Sequence, residues 1–343
     1  MKSLKAVLLL IPMLVQAADY SARKVTVDSI EVVRLSDGAR GIEVSIVPSI
    51  GNNAYQMVAN GKDFFWSPFK SLADFKAKPA NCGNPFLAPW ANRLDQDAFF
   101  ANGKKFSLNP ELGNLPRDPN GRPIHGLLRF APWEVVSMKA DASGAEVTSR
   151  FEFWRYPELM AQFPFAHTLE MTYRLKDGAL EVETAIKNHS TEPMPVAIGY
   201  HPYFRLHDTP RNTWKVHLAA REHLMLSEQL IPTGERKPNP FPDPVSLSQT
   251  SLDDVFTGLV RDASGRATFF VEGGKEKLSV VYGPKYSVAV VYAPSGRDFI
   301  CFEPMAAITN AFNLAHSGVY KELQSIAPGG EWRESFWIIP AGY

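Results

Sequence analysis

Cysteine, net charge and long apolar runs are all scarce in this sequence of 343 residues. It has two cysteines, Cys82 and Cys301, and its 36 basic residues are balanced by 36 acidic ones. Two cysteines are too few for a disulfide scaffold, so a large hydrophobic core has to stabilise the fold. A net charge of zero gives no electrostatic reason to expect nucleic acid or an anionic membrane as partner. Beyond the N-terminal segment, no run approaches the ~20 apolar residues of a membrane-spanning helix.

Sequence motifs that bind cofactors, nucleotides or metal ions are lacking as well. The chain has no GxSxG elbow, no HExxH, no CxxC pair, no EF-hand loop, no GxGxxG and no Walker loop. Its eight histidines do not form the close pairs that are typical of a local metal site. We therefore expect neither a cofactor nor a metal, and any chemistry has to come from the side chains.

The N-terminal segment MKSLKAVLLLIPMLVQAAD has the residue order of a secretory signal. Lys2 and Lys5 precede an apolar run over residues 6–15, and the small residues Ala17 and Ala18 follow. We expect a signal peptide over residues 1–17, cleavage after Ala17, and export to the periplasm or the medium. A buried first strand or helix is the alternative, and the flanking lysines disfavour it.

Alternation of apolar and polar residues with a period of two dominates the rest of the chain. It predicts strands at 41–48, 169–175, 180–188, 215–220, 267–272, 278–283, 287–293 and 299–303. Short helices are expected at 71–79 and within 304–325. The proline-rich stretch 231–247 is interpreted as a long surface loop within one domain and not as a linker, because strands with the same alternating pattern follow it. The sequence thus predicts one all-β sandwich domain over residues 18–343.

A few polar side chains lie in apolar or turn segments of this sequence. Glu303 and His201 both end an apolar strand and immediately precede a proline. A carboxyl group that leaves an apolar strand has its pKa raised by desolvation, which suits a base near neutral pH. Each such residue also has a structural alternative; Arg93, for example, could pair with Asp95 or Asp97.

Five segments containing these residues occur together in one known family. NPFLAPWANRL, RPIHGLLR, GYHPYF, LDDVF and CFEPM resemble, in order and approximate spacing, the motifs of the aldose 1-epimerase (galactose mutarotase) family. The similarity runs from about residue 41 to about residue 338. The resemblance implies a galactose-mutarotase-like β-supersandwich with a sugar site in a cleft across one sheet. It also implies an isomerase that interconverts the anomers of a free hexose such as glucose or galactose.

The resemblance implies catalytic roles for two residues and sugar-binding roles for four. The residues are His201 as general acid, Glu303 as general base, His125 near the ring oxygen, and Asn92, Arg93 and Asp253 at the sugar hydroxyls. The motif reads Asp-Asp where better-studied members of the family have Asp-His. The choice of Asp253 over Asp254 therefore stays open.

Three further questions stay open from the sequence. A glycoside hydrolase could use Asp253 and Glu303 as its paired carboxylates, and a non-catalytic exported sugar-binding protein could retain the same fold. A mutarotase of sugar phosphates would need a cationic pocket, and the export signal favours a free sugar instead. Cys82 and Cys301 could form a disulfide in an oxidising compartment or remain two reduced, buried thiols.

Overall fold

The computed structural model of the chain describes residues 20–343, which form strands and a few short helices. The expected signal peptide, residues 1–17, lies outside the described residues. Within residues 20–343, no helix is both long enough and apolar enough to cross a membrane.

The strands of residues 20–343 number twenty-six, and thirteen of them lie before residue 197. In chain order these are β1 (Tyr20–Val27), β2 (Ile30–Asp37), β3 (Ile42–Val47), β4 (Asn53–Ala59), β5 (Lys62–Asp63), β6 (Phe86–Leu87), β7 (Ala98–Ala101), β8 (Lys104–Ser107), β9 (Glu134–Asp141), β10 (Gly144–Glu152), β11 (His167–Lys176), β12 (Ala179–Asn188) and β13 (Met194–Val196). The other thirteen are β14 (Gly199–Tyr200), β15 (Tyr203–Phe204), β16 (Lys215–His217), β17 (Ala220–Leu226), β18 (Pro232–Pro238), β19 (Val245–Ser246), β20 (Leu252–Leu259), β21 (Ala267–Glu272), β22 (Lys277–Tyr282), β23 (Val288–Ala293), β24 (Ile300–Met305), β25 (Gln324–Ile326) and β26 (Glu331–Ala341).

The helices are short and lie between strands. They are α1 (Leu72–Ala77), α2 (Pro157–Met160) and α3 (Ala311–His316), with single 3-10 turns at Pro110–Leu112, Phe153–Arg155 and Arg211–Thr213. The start of α1 is capped by Ser71, whose hydroxyl accepts a hydrogen bond from the backbone N–H of Asp74 at 3.1 Å. The helices expected at 71–79 and within 304–325 are confirmed. Helix α2 was not foreseen.

Three sheets carry the fold, and neighbouring strands in them run antiparallel. An N-terminal sheet has the order β1-β2-β3-β4-β5, and a nine-stranded sheet has the order β19-β16-β21-β22-β26-β12-β11-β10-β9. An eight-stranded sheet follows the path β18-β17-β20-β23-β24-β14-β6, with β15 also paired to β24. The pairs β13-β25 and β7-β8 complete the architecture. The expected β-supersandwich is confirmed.

The main core lies between the nine-stranded and eight-stranded sheets. Phe269 of β21 contacts Phe302 of β24, and Tyr200 of β14 contacts Phe336 of β26. Successive side chains of a strand point to opposite faces of its sheet. Because Phe302 points into the core, its neighbour Glu303 points to the outer face of the eight-stranded sheet.

Most of the predicted strands are confirmed, and the differences have physical reasons. The stretch 231–247 is not a simple loop, because it forms β18 and β19. Both are edge strands, where proline is tolerated because the missing N–H faces away from the sheet. Strand β24 does not end at Glu303 but continues through Pro304 to Met305, and the strand expected at 215–220 is interrupted after His217.

The two cysteines are free and buried in separate hydrophobic clusters. Cys82 packs with Leu72 and Phe75, whereas Cys301 packs with Tyr203 and Phe299. Burial raises the pKa of the Cys82 thiol to about 12, which keeps it protonated at neutral pH. Of the two states that the sequence left open, this structure has the reduced one.

Candidate active site

One cavity on the outer face of the eight-stranded sheet brings the sequence-predicted residues together. Its volume is about 220 Å³. Its lining includes all six of them: Asn92, Arg93, His125, His201, Asp253 and Glu303. Residues separated by more than 200 positions in the chain therefore face one small space.

Glu303 forms part of the floor of this cavity. It lies inside β24, opposite Val290 of the neighbouring strand β23, and Val290 lines the same cavity. Only 1% of Glu303 is exposed. A position within a central strand holds the carboxyl group more rigidly than the strand end that the sequence suggested.

His201 lies directly above this floor, in the bend between β14 and β15. Two backbone hydrogen bonds hold the bend, from the His201 N–H to the Pro85 carbonyl at 3.0 Å and from the Tyr203 N–H to the Gly83 carbonyl at 2.8 Å. The imidazole stacks on the Tyr203 ring, with centroids 4.7 Å apart. Its Nε2 atom lies 3.3 Å from Oε1 of Glu303. The proposed acid and base are thus direct neighbours.

Two loops that run beside each other supply the next residues of the cavity. The His125 N–H donates to the Asn92 carbonyl at 2.8 Å, and the Leu94 N–H donates to the Pro123 carbonyl at 2.9 Å. Asn92 and His125 both have left-handed backbones, with φ of 53° and 63°. Such conformations of non-glycine residues cost of order 1–3 kcal/mol and cluster at functional sites.

The left-handed turn at His125 continues through a glycine that no other residue could replace without a shift. Gly126 has a φ of +64°, and a Cβ atom there would lie 2.1 Å from the carbonyl oxygen of Ala88. The close approach fixes the backbone next to His125, whose ring meets the His201 ring edge to face at a centroid distance of 5.5 Å. The two histidine rings are therefore in direct contact.

Arg93 is held by a carboxylate that sequence reasoning missed. Its Nε donates to Oδ2 of Asp118 at 2.8 Å, and the other oxygen of Asp118 accepts backbone N–H groups from Asn120 and Arg122. Burial opposes ionisation of Asp118, but the hydrogen bonds from Arg122 and Arg93 outweigh it and lower the pKa of this carboxyl. A permanently ionised Asp118 fixes the guanidinium at the edge of the cavity.

The alternative pairings of Arg93 with Asp95 or Asp97 are wrong. Asp95 accepts a hydrogen bond from the side-chain amide of Asn313 at 2.6 Å, and Asp97 pairs with Arg117 at 2.8 Å. The only sequence signal for Asp118 is its place in DPNG, a turn-forming segment in which an aspartate usually serves its own backbone.

The neighbouring residues Asp253 and Asp254 take different places on β20. Asp253 lines the cavity, whereas Asp254 accepts a hydrogen bond from His223 Nε2 at 2.8 Å on the other side of the strand. Asp253 as a whole residue is exposed, but its carboxyl group faces the cavity. Desolvation raises the pKa of this carboxyl, although the positive charge of Arg93 acts to lower it. The geometry favours Asp253 over Asp254 as the residue that faces a ligand.

Burial controls the protonation of the groups at the centre of the cavity. Desolvation, together with the nearby Asp253, raises the pKa of Glu303 well above its usual value, although Arg93 opposes this. Desolvation lowers the pKa of His201 to about 3 and lowers that of His125 well below its usual value. These two shifts keep His201 neutral at neutral pH and favour the protonated form of Glu303.

Several buried polar atoms of the cavity have no hydrogen-bond partner among residues 20–343. They are Oε2 of Glu303, Nδ1 of His201 and Nδ1 of His125. Buried polar atoms are almost always satisfied by protein, water or ligand, so this set indicates a site for a polar molecule. The cavity also has an apolar lining that includes Leu226, Leu230 and Val255. A ligand with hydroxyl groups and an apolar face fits such a lining.

Four polar lining residues were not singled out from the sequence: Asn81, Tyr203, Tyr292 and Thr309. Tyr203 belongs to the GYHPYF segment, so its spacing from His201 could have identified it. Asn81 accepts a hydrogen bond from Arg129 at 2.9 Å, and Arg129 ends the RPIHGLLR segment. Within residues 20–343, no group of three or more His, Cys, Asp or Glu side chains is arranged to hold a metal ion.

Comparison with known proteins agrees with this geometry. The family model of aldose 1-epimerase matches residues 31–338. A galactose mutarotase-like protein from Clostridium acetobutylicum is 21% identical, with a TM-score of 0.83 over 95% of this chain and 99% of that chain.

Two curated proteins are similar in sequence. The uncharacterised Escherichia coli protein YphB is 23% identical over 256 residues, which are 71% of this chain and 78% of its own length. Human galactose mutarotase is 26% identical over 215 residues, which are 60% of this chain but only 55% of the human protein. The family match extends over most of the chain and includes every residue of the cavity: the chain belongs to the aldose 1-epimerase family.

Proposed function

We propose that the chain is an aldose 1-epimerase that interconverts the α and β anomers of a free aldohexose such as glucose or galactose. The observation that carries this proposal is the pair formed by His201 and Glu303, 3.3 Å apart at the floor of a cavity of about 220 Å³. Opening a sugar ring requires one proton to leave the C1 hydroxyl and one to reach the ring oxygen. A base and an acid at the same end of the ring meet that requirement.

A His201–Glu303 pair that holds one proton would suit this reaction. In this geometry burial favours the proton on Glu303, because it raises the pKa of the carboxyl and lowers that of the imidazole. We propose that sugar hydroxyls, by donating hydrogen bonds to the carboxylate, favour its transfer to His201. Glu303 then takes the proton from the C1 hydroxyl while His201 donates to the ring oxygen. After rotation about C1–C2 the transfers reverse, and the ring closes on either face.

The residues around the pair would hold the sugar in place. Arg93 and Asn92 lie beside His125, and Asp253 lies on a different strand of the same cavity. Guanidinium and amide groups donate to hydroxyl oxygens, and carboxylates accept from hydroxyl hydrogens. We propose that Arg93 and Asn92 bind hydroxyls near the reacting end of the ring and that Asp253 binds those farther away.

Polarimetry of freshly dissolved α-D-glucose and α-D-galactose tests this function. We expect the wild-type chain to accelerate the approach to anomeric equilibrium, and the double variant His201→Asn/Glu303→Gln to leave it at the spontaneous rate. Binding of the sugar without acceleration would identify a carbohydrate-binding protein instead. Release of reducing ends from a disaccharide would identify a glycoside hydrolase, with Asp253 and Glu303 as its carboxylates.

We also propose that the enzyme acts after export, on sugars outside the cytoplasm. The support is the charged, apolar and small-residue order of the N-terminal segment. The N-terminal sequence of the protein purified from its native host tests this. We expect the mature chain to begin at Ala18, and a mature chain that begins at Met1 would contradict export by cleavage.

A further inference from the structure

A second concave surface lies on the opposite side of the molecule from the cavity that contains His201 and Glu303 (the cleft). It is a groove of about 590 Å³ on the outer face of the nine-stranded sheet, over β10, β11 and β12. None of its lining residues is shared with the cavity that contains His201 and Glu303. The proton chemistry proposed above makes no use of it.

The floor of the groove consists of small side chains. Ala185 and Thr168 lie on the outer face of their strands, and Ala166 directly precedes β11. Ala185 is only 6% exposed although it points away from the core. The longer side chains of Glu170, opposite Ala185 on β11, and of Lys187 flank it, which leaves a hollow in the surface of the sheet.

An exposed aromatic ring forms one wall. Trp154 is 44% exposed, whereas its neighbour Phe153 in the same 3-10 turn is fully buried and anchors the turn. Arg155 lies over the Trp154 ring at 5.1 Å, and Glu152 holds Arg155 by an ion pair of 2.8 Å. The buried Phe153 and the contact with Arg155 restrict the indole before any ligand arrives, which reduces the entropy lost on binding.

The charged side chains of the groove are mostly satisfied by partners within the protein. Arg150 pairs with Glu170 at 2.7 Å, the Lys187 ammonium donates to the Gly329 carbonyl, and His189 Nε2 is 2.8 Å from the Thr168 hydroxyl. The lining contains two cations, Arg150 and Lys187, against three carboxylates, Glu152, Glu170 and Glu331. Glu152 and Glu331 also pair with Arg155 and Arg333, which are not part of the lining, so each carboxylate has a cationic partner and the groove has no strong excess of one charge.

We propose that this groove is a second, non-catalytic carbohydrate-binding site that takes a neutral oligosaccharide. The exposed indole presents an apolar face to the C–H surface of a sugar ring, and the polar groups of the groove present donors and acceptors to its hydroxyls. The volume is more than twice that of the cleft, which indicates a ligand longer than one sugar unit. A second copy of the chain fits less well, because charged residues are depleted in the cores of protein interfaces.

The test is calorimetric titration of the folded protein with methyl glycosides of cellotriose, maltotriose and β-1,4-galactotriose. The methyl group blocks the anomeric carbon, so these probes bind without being substrates. We expect at least one of these trisaccharides to bind. Trp154→Ala should raise the Kd of that trisaccharide roughly tenfold or more, because truncation of a tryptophan that becomes buried in a complex usually has an effect of this size. Ala185→Leu, which fills the floor, should act in the same direction.

Trp337→Ala is the matched control, because Trp337 lies on the outer face of the same sheet, under Arg266, and outside the groove. It should leave the Kd of the trisaccharide unchanged. Trp154→Ala should leave mutarotation of monosaccharides unchanged, so failure of the groove proposal and failure of the proposed function give different results.

Three results would overturn the proposal. None of the trisaccharides binds, or the Trp154→Ala protein binds them as tightly as the wild type. Alternatively, Trp154→Ala converts a dimer into a monomer in sedimentation while the wild type binds no trisaccharide, which would assign the surface to a second copy of the chain.

Discussion

The cleft and the groove use the same kinds of side chain in opposite electrostatic surroundings. In the groove, Glu170 is about one-third exposed and forms an ion pair with Arg150. In the cleft, Glu303 is almost completely buried and its nearest ionisable partner is a histidine that burial keeps neutral. An exposed ion pair contributes little energy and no reactivity. A buried carboxyl that has no positively charged partner has a raised pKa and can exchange protons near neutral pH.

The two surfaces also differ in their backbones. The groove lies on regular strands, in which Ala185 is in register with Glu170 of β11. The cleft depends on left-handed residues, Asn92 and His125, and on the close contact between Gly126 and Ala88. Strain of this kind is maintained only where the surrounding structure enforces it. This difference supports the two proposals, proton transfer in the cleft and ligand binding in the groove.

Replacing equivalent carboxylates in the two regions should give the largest contrast. Glu303→Gln preserves shape but removes the base, and we expect kcat for mutarotation to fall by about two to four orders of magnitude. Glu170→Gln, the matched control in the groove, should change kcat less than about twofold. Polarimetry of both purified variants checks this, with circular dichroism to show that they are folded. Near-normal turnover of Glu303→Gln would refute its role.

Removal of the Arg93 guanidinium at the edge of the cleft should have the second-largest effect on activity. Arg93→Ala removes the proposed charge-assisted hydrogen bond to the sugar and leaves Asp118 buried without its partner. We expect kcat/KM to fall roughly 10- to 100-fold, with an increase in KM as well as a decrease in kcat. Initial rates over a range of sugar concentrations separate the two constants. An unchanged KM would mean that Arg93 serves only the fold.

Neutralising the carboxylate behind Arg93 should have a smaller effect. Asp118→Asn keeps a hydrogen-bond acceptor but loses the charge that fixes the guanidinium, so we expect KM to rise about tenfold or less, with little change in kcat. Asp97→Asn is the control, because Asp97 pairs with Arg117 in a more exposed position. If both variants had the same KM as the wild type, Asp118 would not position Arg93 for binding.

The pH dependence of the wild type should show the smallest effect. His201 stays neutral as pH falls through 6.5, because burial has lowered its pKa to about 3. Protonation of His201 would remove the proton acceptor of the His201–Glu303 pair. At higher pH, loss of the proton from Glu303, whose pKa is raised, would remove the proton donor. We expect kcat/KM to stay level from pH 7 to about pH 5. An acidic limb centred near 6.5 would contradict this protonation scheme.

Much of the fold and of the cleft could be predicted from the sequence for identifiable reasons. Period-two alternation identifies strands such as β11, β12 and β21 because one face of each is buried. His201 and Glu303 could be singled out because both interrupt apolar segments next to a proline. Their proximity could not be read from spacing, since it depends on the pairing of β24 with both β14 and β15.

What the sequence did not reveal depends on contacts between distant segments or on sheet edges. Asp118 looks like an ordinary turn residue, and only the fold places it against Arg93, 25 positions away. The prolines of 231–247 suggested a loop, whereas edge strands such as β18 tolerate them. The groove depends on the exposure of Trp154 beside small residues from two other segments, and no local pattern encodes that arrangement.

The central claim is that the His201–Glu303 pair opens the sugar ring by moving protons, and isotope retention tests it most directly. The measurement follows α-D-galactose labelled with ¹⁸O at C1 by ¹³C NMR while the wild-type chain equilibrates its anomers. Ring opening breaks the bond between C1 and the ring oxygen, so the account predicts accelerated equilibration with the label lost no faster than in the uncatalysed sugar. Loss of the label at the rate of equilibration, or no acceleration at all, would contradict it.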